Sequence, residues 1–312
     1  MRALITGATG FAGRHLAEEC AKAGDAVVAW SSADVDLRDA AATRAGVEAV
    51  APDVVYHLAA RAHVGRSWSE PAATLQENVA MTLNVLEAVR TATPRAVVVA
   101  VSSGEVYGRP EGLPVAEDAA LRPANPYAVS KAAADLLAGF YADAHGLCVV
   151  RPRAFNHAGP GQDASYAVAA FARQVVEGAV AGARRVRVVT GNPDTRRDYT
   201  DVRDVVRAYR GLAARGEPGV FNVCSGRTAS GTELVDTLAR LAGVDADIVV
   251  DPSLVRPSDV LEVRGDFSRL RTATGWAPGT PLERTLADTL AWWRARFGAS
   301  SPDPVPGRRP DR

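Results

Sequence analysis

Three glycines near the start of the chain, spaced Gly-x-x-Gly-x-x-Gly, constrain its fold more than any other feature. Gly7, Gly10 and Gly13 follow a short apolar run at residues 2–6 and open a segment of helical character at 13–23. In such a strand–turn–helix unit the first glycine permits a tight turn, and the second lets the backbone approach a pyrophosphate. The third allows close packing of helix on strand, and the helix N-terminus supplies N–H donors. The pattern predicts a dinucleotide-binding turn; a glycine-rich turn without a ligand is the alternative.

Short runs rich in valine and alanine alternate with helical patterns along most of the chain. We expect strands at residues 2–6, 26–30, 54–58, 96–101, 147–151, 187–190 and 220–223. We expect helices at 13–23, 39–50, 70–91, 127–144, 167–181, 202–214, 231–242 and 281–296. This alternation is typical of a parallel sheet covered on both faces. It predicts an α/β protein with a Rossmann-type, doubly wound parallel sheet.

The alternation loosens after about Asn156, where Gly, Pro and Arg become denser. This change indicates a smaller, discontinuous C-terminal substrate-binding region near the carboxyl ends of the strands. We expect residues 1–155 and about 194–224 to form the dinucleotide-binding domain, and about 156–193 with 225–299 to form the second region. Residues 300–312, rich in Pro, Arg and Asp, predict a disordered tail.

The charge balance excludes two classes of partner. The chain carries 36 Lys and Arg against 36 Asp and Glu, and its pI is about 7.0. We therefore expect no nucleic-acid partner and no membrane partner. Met1 and Arg2 lead into the first strand without a signal-peptide pattern, and the three cysteines are far apart. These features predict a cytoplasmic protein with reduced cysteines and no metal site.

The end of the second predicted strand bears on the choice of cofactor. An NAD-selective site usually has an acidic residue there, which binds the ribose hydroxyls. Here the strand ends in Trp30, Ser31 and Ser32, and the two serines would tolerate and could hydrogen-bond a 2′-phosphate. We therefore expect NADP (NADPH), with NAD as the alternative because no arginine follows immediately. The segment Asp34-Val35-Asp36-Leu37 would lie beside the adenine, unless its aspartates form a solvated turn.

Lys131 is one of only two lysines among the 36 basic residues of the chain. It stands four residues after Tyr127 in a predicted helix, so the ammonium and the phenol share one face. A compact ammonium beside a phenol lowers the phenol's pKa and can pass protons on, whereas a guanidinium stays protonated and is broader. The pair predicts acid–base chemistry, although an ordinary amphipathic helix could also carry it.

A run of valine and alanine at residues 97–101 ends in Ser102 and Ser103, which places two hydroxyls at the end of a predicted strand. Together with the glycine turn and the tyrosine–lysine pair, these serines resemble the extended short-chain dehydrogenase/reductases. The resemblance covers nearly the whole chain. The segment His57-Leu58-Ala59-Ala60 is similar to that family's fourth-strand motif, and Asn78 lies where the family has a helix asparagine.

The resemblance implies catalytic and cofactor-binding residues. Tyr127 would donate or accept the proton, Lys131 would hold the nicotinamide ribose and lower the tyrosine pKa, and Ser103 would hydrogen-bond the substrate carbonyl oxygen. The implied cofactor contacts, besides Tyr127 and Lys131, are Gly7, Thr9, Gly10, Phe11, Ser31, Ser32, Asp36, Leu37, Leu58, Ala59, Ala60, Val101 and Phe155.

Segments of the second half narrow the resemblance. Residues 153–162, 191–204, 221–226 and 256–260 are similar to GDP-mannose 4,6-dehydratases and GDP-4-keto-6-deoxy-D-mannose reductases, and the Gly-Pro-Gly-Gln ending at 159–162 resembles the reductases. The implied substrate contacts are Ser103, Asn156, Arg173, Asn192, Arg197, Arg256 and Asp259. Arg197 and Arg256 can neutralise a diphosphate bidentately, although each could instead form a surface ion pair.

The sequence therefore predicts an NADPH-dependent reductase acting at C4 of a GDP-4-keto-6-deoxyhexose, expected to form a homodimer. The alternatives are a GDP-mannose 4,6-dehydratase or another epimerase/dehydratase of nucleotide sugars, and a dinucleotide-binding sensor without catalysis. Glu105 occupies the position of the dehydratase base, which keeps dehydration open. No cysteine lies near Ser103 in the sequence, which disfavours epimerisation before reduction.

Overall fold

The computed structural model describes residues 1–255 and 260–299 of the chain. In chain order the strands are β1 (Arg2–Thr6), β2 (Ala26–Trp30), β3 (Val54–His57), β4 (Val97–Ala100), β5 (Ser102–Ser103), β6 (Val149–Ala154), β7 (Asn156–Ala158), β8 (Arg185–Thr190), β9 (Arg196–Asp201), β10 (Gly219–Val223), β11 (Thr228–Ser230), β12 (Asp245–Val250) and β13 (Glu262–Val263). The helices are α1 (Phe11–Lys22), α2 (Ala40–Val50), α3 (Val64–Ser69), α4 (Pro71–Ala92), α5 (Pro126–His145), α6 (Ala167–Val180), α7 (Val202–Arg215), α8 (Gly231–Ala242), α9 (Ser268–Thr274) and α10 (Leu282–Ala299).

A seven-stranded parallel sheet forms the centre, in the order β2–β1–β3–β4–β6–β10, with β5 also paired to β6. Successive side chains of a strand point to opposite faces. Ala3 and Ile5 of β1 therefore pack with α1 and α7, whereas Leu4 packs with α2, α4 and α5. Both faces of the sheet are covered by helices, which confirms the predicted doubly wound α/β fold.

The C-terminal half builds two smaller sheets. Strands β7, β9, β11 and β13 form one, and β8 pairs in parallel with β12 to form the other. The helices α6, α8 and α10 pack around an apolar cluster beside them that includes Phe171, Val188, Leu234 and Leu286. The strand β9 lies within the segment 194–224 assigned from sequence to the dinucleotide-binding domain, yet it pairs with β7, β11 and β13. The domain boundaries remain a prediction.

The sequence pattern located the strands and helices of the central sheet to within a few residues, and it missed several elements elsewhere. The missed strands include β9 and β12, and the missed helices include the short α3 and α9. The strand predicted at 96–101 corresponds to β4, and the two-residue strand β5 follows it beyond the predicted range. Residues 300–312, predicted to be disordered, lie outside the described residues.

All strands of the central sheet run in the same direction, so their carboxyl ends lie along one edge. Thr6, Trp30, His57, Ser103 and Ala154 each end a strand at that edge. Ligands of doubly wound sheets bind there. In the described ranges, no helix combines the length and the apolar character needed to cross a membrane.

Candidate active site

A cavity of about 840 Å³ lies along the carboxyl edge of the sheet. The residues predicted to contact the cofactor all line it: Gly7, Thr9, Gly10, Phe11, Ser31, Ser32, Asp36, Leu37, Leu58, Ala59, Ala60, Val101, Tyr127, Lys131 and Phe155. Ser103, Glu105 and Asn156, predicted from the resemblance to serve catalysis or substrate binding, line the same cavity. One continuous space therefore joins the predicted nucleotide-binding turn to the predicted acid–base residues, whose individual roles remain predictions.

The glycine turn has the geometry that a dinucleotide pyrophosphate needs. Gly7 has a φ of 70°, and a Cβ on Gly13 would lie 2.2 Å from the carbonyl oxygen of Gly7. Side chains at these two positions would therefore strain or block the turn. Gly10 directly precedes α1, whose first N–H groups have no partner within the helix and favour an anion. These residues fit a dinucleotide cofactor.

A carboxylate just after β2 has a hydrogen-bond partner that the sequence pattern did not reveal. The backbone N–H and the hydroxyl of Ser31 both donate to Oδ2 of Asp34, each over 2.7 Å. These bonds hold the pKa of the Asp34 carboxyl below its ordinary value. The sequence predicts that Ser31 can bond a 2′-phosphate, but both of its donors are directed to Asp34. The conformation of the turn decides this pairing, so residue types alone could not show it.

A cation lies at the same end of the cavity. Arg38, which lines the cavity, donates from Nε and Nη2 to the two carboxylate oxygens of Asp36 over 2.9 and 2.8 Å. Its Nη1 lies 4.0 Å from Oε1 of Glu77. The adenosine end therefore combines serine hydroxyls with charges of both signs.

Helix α5 presents Tyr127 and Lys131 to the cavity, as predicted. The side-chain oxygen of Asn125 accepts from the N–H of Ala128 over 2.8 Å and caps the helix, and Pro126 occupies the first helical position. Lys131 is 7% exposed, and its ammonium donates to the carbonyl oxygen of Val101. Burial lowers the pKa of Lys131 to about 8, and the Asp135 carboxylate opposes part of that shift.

The phenol of Tyr127 is kept neutral by its surroundings. Burial raises its pKa above the ordinary value, and a hydrogen bond with the Ser103 hydroxyl opposes part of that rise. The Oγ of Ser103 also accepts from the backbone N–H of Glu105 over 3.2 Å. A neutral phenol beside a serine hydroxyl can give a proton to a carbonyl oxygen bound between them.

A buried polar network ties α5 to the sheet beneath the site. Arg153 of β6 donates from Nε and Nη2 to the Asp135 carboxylate over 2.9 and 3.0 Å, and from Nη1 to the Tyr107 hydroxyl over 3.0 Å. That hydroxyl in turn donates to the side-chain oxygen of Asn222 over 2.7 Å. The network fixes the helix that carries Lys131. Sequence reasoning missed Asp135, although its position four residues after Lys131 was an available signal.

His57 and Asn78 form hydrogen bonds that join elements surrounding the cavity. The ring nitrogens of His57 lie 2.9 Å from the Thr6 hydroxyl and 3.2 Å from the Thr82 hydroxyl. Burial, with a smaller contribution from the charge of Lys131, lowers the pKa of His57 to about 3. The Asn78 amide donates to the Ser130 hydroxyl over 2.8 Å on α5. Both residues therefore hold elements together around the catalytic helix.

A second cavity of about 100 Å³ adjoins the first. Val64, Glu105, Phe155 and Asn156 line both cavities, and Arg197 lines the second. Its polar side chains include Glu105, which accepts a hydrogen bond from the Asn125 amide over 3.0 Å, and Arg197, which donates to the carbonyl oxygen of Val260 over 2.7 Å. The predicted substrate residues Asn156 and Arg197 thus lie next to the predicted catalytic ones.

The other predicted substrate residues lie elsewhere. Within the described part of the chain, neither cavity is lined by Arg173 or Asn192. Arg173 is exposed on α6, 3.9 Å from Glu177, and the side-chain oxygen of Asn192 accepts from the N–H of Asp194 over 3.0 Å. Arg256 and Asp259 fall outside the described residues. Their roles in substrate binding remain predictions.

Comparison with known proteins shows the family to which the chain belongs. A family model described as GDP-mannose 4,6 dehydratase matches residues 29–289. The chain is 37% identical to GDP-6-deoxy-D-mannose reductase of Pseudomonas aeruginosa, over 95% of this chain and 98% of that protein. It is 31% identical to a UDP-glucose 4-epimerase of Mycolicibacterium smegmatis, over 94% and 99%. The structure of RMD from Pseudomonas aeruginosa complexed with NADPH has a TM-score of 0.86 at 36% identity, with 95% of this chain and 100% of that chain covered.

Proposed function

Because the chain belongs to the GDP-mannose 4,6-dehydratase family of extended short-chain dehydrogenase/reductases, we propose that it is an NADPH-dependent reductase. It reduces the C4 keto group of a GDP-4-keto-6-deoxyhexose. The observation that carries this proposal is a single cavity lined by the glycine turn and by Ser103, Tyr127 and Lys131. The end-to-end similarity to a GDP-6-deoxy-D-mannose reductase supports the choice of substrate.

The residues that line the cavity have separate roles in the proposed reaction. NADPH, held by the glycine turn and the residues along the cavity, supplies the hydride that reduces a carbonyl carbon. Ser103 donates a hydrogen bond to the carbonyl oxygen, and Tyr127 gives that oxygen its proton. Lys131 places a positive charge beside the phenol, which stabilises the phenolate as the proton leaves. Arg197 and Asn156, next to this centre, hold the sugar nucleotide.

The product is GDP-D-rhamnose or its C4 epimer, GDP-6-deoxy-D-talose. Which of the two forms depends on the face of the sugar that meets the hydride. A dehydratase is the second candidate, because Glu105 lines both cavities and so lies where it can reach a bound sugar. A dehydratase returns the hydride to its substrate and therefore consumes no NADPH.

One assay separates these functions. Wild-type protein is mixed with NADPH and GDP-4-keto-6-deoxy-D-mannose, and the absorbance of the reduced nicotinamide is followed. We expect one NADPH to be oxidised for each sugar reduced, and Tyr127→Phe to abolish the reaction. Conversion of GDP-mannose to a keto sugar without net oxidation would identify a dehydratase instead, and binding without any turnover would identify a sensor. The UDP- and dTDP-linked 4-keto sugars serve as controls for the base.

We also propose a homodimer formed through α4 and α5, which pack side by side. Leu75 and Leu83 of α4 and Leu136 and Phe140 of α5 are between 36% and 61% exposed. A group of exposed apolar side chains on adjacent helices is typical of an interaction surface. We further propose a cytoplasmic location, which the free state of the three cysteines supports.

A further inference from the structure

The proposed function assigns no role to the indole of Trp68. It belongs to α3, which immediately precedes α4, and 49% of its surface is exposed. It also lines the second cavity, together with Glu105, Asn125 and Arg197. A large aromatic side chain at the edge of a polar cavity is a common element of ligand sites.

Hydrogen bonds stabilise α3, the short helix that carries Trp68. The Nδ1 of His63 accepts from the N–H of Arg66 over 3.0 Å and caps the first turn. The hydroxyl of Ser67, a fully buried residue, donates to the carbonyl oxygen of Val64 over 2.7 Å. The N–H of Glu70 donates to the carbonyl oxygen of Arg66 over 3.0 Å and closes the last turn. These bonds fix the backbone of α3, and with it the position from which the Trp68 side chain extends.

The second cavity has a polar and an apolar set of side chains. Glu105, Asn125, Asn156 and Arg197 supply the polar groups. Trp68, with Val64, Ala124, Val260 and Val263, supplies the apolar ones. A hexose has the same division, because its hydroxyl groups lie around the edge of the ring and its C–H groups lie on the faces. Since Val64, Glu105 and Asn156 also line the larger cavity, a sugar here would adjoin Tyr127.

We propose that Trp68 is a substrate-specificity residue that covers the C–H face of the hexose in the bound sugar nucleotide. This inference rests on the proposed function for the presence of a sugar nucleotide, but not for the identity of its base. The indole holds the hexose against Glu105 and Asn125 and excludes water from that face. It contributes to binding of the sugar and makes no contact with the nucleoside diphosphate.

Calorimetry with matched ligands tests this assignment. Wild-type, Trp68→Ala and Trp68→Phe proteins are titrated with GDP-mannose and with GDP. Loss of one aromatic contact should weaken GDP-mannose roughly five- to tenfold in Trp68→Ala, with Trp68→Phe closer to wild type. The affinity for GDP should be unchanged in both variants. Equal loss for both ligands, or no loss for either, would overturn the assignment.

Tryptophan fluorescence gives a second measurement. GDP-mannose should alter the emission of wild type, and Trp68→Phe should remove that response. NADPH should still alter the emission of Trp68→Phe, because Trp30 lines the cofactor cavity. The control variant is Trp292→Phe on α10, which should behave as wild type. A response to GDP-mannose that persists in Trp68→Phe contradicts the proposal.

The failure of the proposed function can be told apart from the failure of this inference. Wild type is first titrated with GDP-mannose, UDP-glucose and dTDP-glucose. If a sugar nucleotide other than GDP-mannose binds most tightly, the proposed substrate is wrong. The Trp68 variants are then titrated with that sugar nucleotide and with its own nucleoside diphosphate. Trp68→Ala must again weaken binding of the sugar nucleotide and leave the affinity for the nucleoside diphosphate unchanged.

Discussion

Lys131 shows how one residue type is selected by its surroundings. The residue is 7% exposed and its ammonium donates to the Val101 carbonyl oxygen, with Asp135 one helical turn further along. Burial brings its pKa to about 8, so the group is charged at neutral pH and close to losing its proton. A guanidinium is broader and stays protonated at any accessible pH. The chain uses arginine for nearly all its other basic positions, which makes the lysine here informative.

We expect Lys131→Arg to lose on the order of 10²-fold or more in activity while remaining folded, as when positioned acid–base assistance is removed. In wild type, the rate of reduction should fall above about pH 8, because Lys131 loses its charge there. The only other lysine, Lys22 on the last turn of α1, provides the control variant Lys22→Arg. Near-normal turnover of a folded Lys131→Arg protein would rule out the proposed mechanism.

Asp34 places a negative charge at the end of β2, bonded to Ser31. A carboxylate near the adenosine ribose disfavours a 2′-phosphate through repulsion. We therefore expect Asp34→Asn to bind NADPH more tightly relative to NADH than wild type does. The matched control is Asp251→Asn, since Asp251 accepts the same pair of bonds from Ser253. In the described residues Ser253 lines neither cavity, whereas Ser31, the partner of Asp34, lines the larger one. Unchanged selectivity in Asp34→Asn, measured by titrating both cofactors, would show that Asp34 has no role in this choice.

Helix α5 carries different functions on different faces. Tyr127, Lys131 and Asp135 are spaced four residues apart and lie on the face toward the cavity and the sheet. Leu136 and Phe140, also four apart, are 61% and 56% exposed. The buried network around Arg153 holds the first face in place. An assembly through the second face would therefore stabilise the same helix that performs catalysis.

We expect Leu136→Glu combined with Phe140→Glu to shift the protein from dimer to monomer in sedimentation or light-scattering measurements. Two buried charges at an interface would cost several kcal/mol. The control is Val180→Glu, because Val180 is 58% exposed on α6, away from this face. A wild-type protein that is already monomeric, or a dimer unaffected by the double substitution, would contradict the proposed interface.

At the scale of the whole molecule, carboxylates near the start of α7 join the C-terminal segment to the rest. Asp204 accepts from the backbone N–H groups of Gly279 and Thr280 over 3.0 and 2.8 Å. Asp201 accepts from the Thr285 hydroxyl over 2.7 Å. These hydrogen bonds hold residues 279–285 against the start of α7.

Burial of His57 makes the free energy of unfolding depend on pH. The unfolded chain binds a proton at its ordinary pKa of about 6.5, whereas the folded protein does so only near about 3. The free energy of unfolding should therefore fall as the pH drops through this window, by up to about 1.4 kcal/mol per pH unit. Between pH 6.5 and 5, the free energy of unfolding measured with urea should depend less on pH in His57→Gln than in wild type. The exposed His145 provides the control, His145→Gln, which should follow wild type.

The sequence predicted those parts of the site that local spacing determines. The glycine turn and the tyrosine–lysine pair each depend on residues within one turn or one helix. The strand β9 escaped prediction because Arg196, Arg197 and Asp198 give it no apolar alternation. Their charges are met by partners distant in sequence, such as Glu233 for Arg196. The pairing of Asp34 with Ser31 was missed because it depends on the conformation of a turn. Trp68 was missed because its importance comes from a neighbouring cavity.

The two lysines also determine how the protein could be attached to a solid support. Lys131 is buried within the cavity, whereas Lys22 is exposed at the far end of α1 from the glycine turn. The twelve residues of α1 separate the two ends by roughly 18 Å. An amine-reactive surface would therefore capture the molecule through the Lys22 side chain or through the α-amine of Met1, which pairs with Asp25 just beyond the same end of α1. Immobilised in this way, the molecules would share one orientation, with the mouth of the nucleotide cavity directed away from the support.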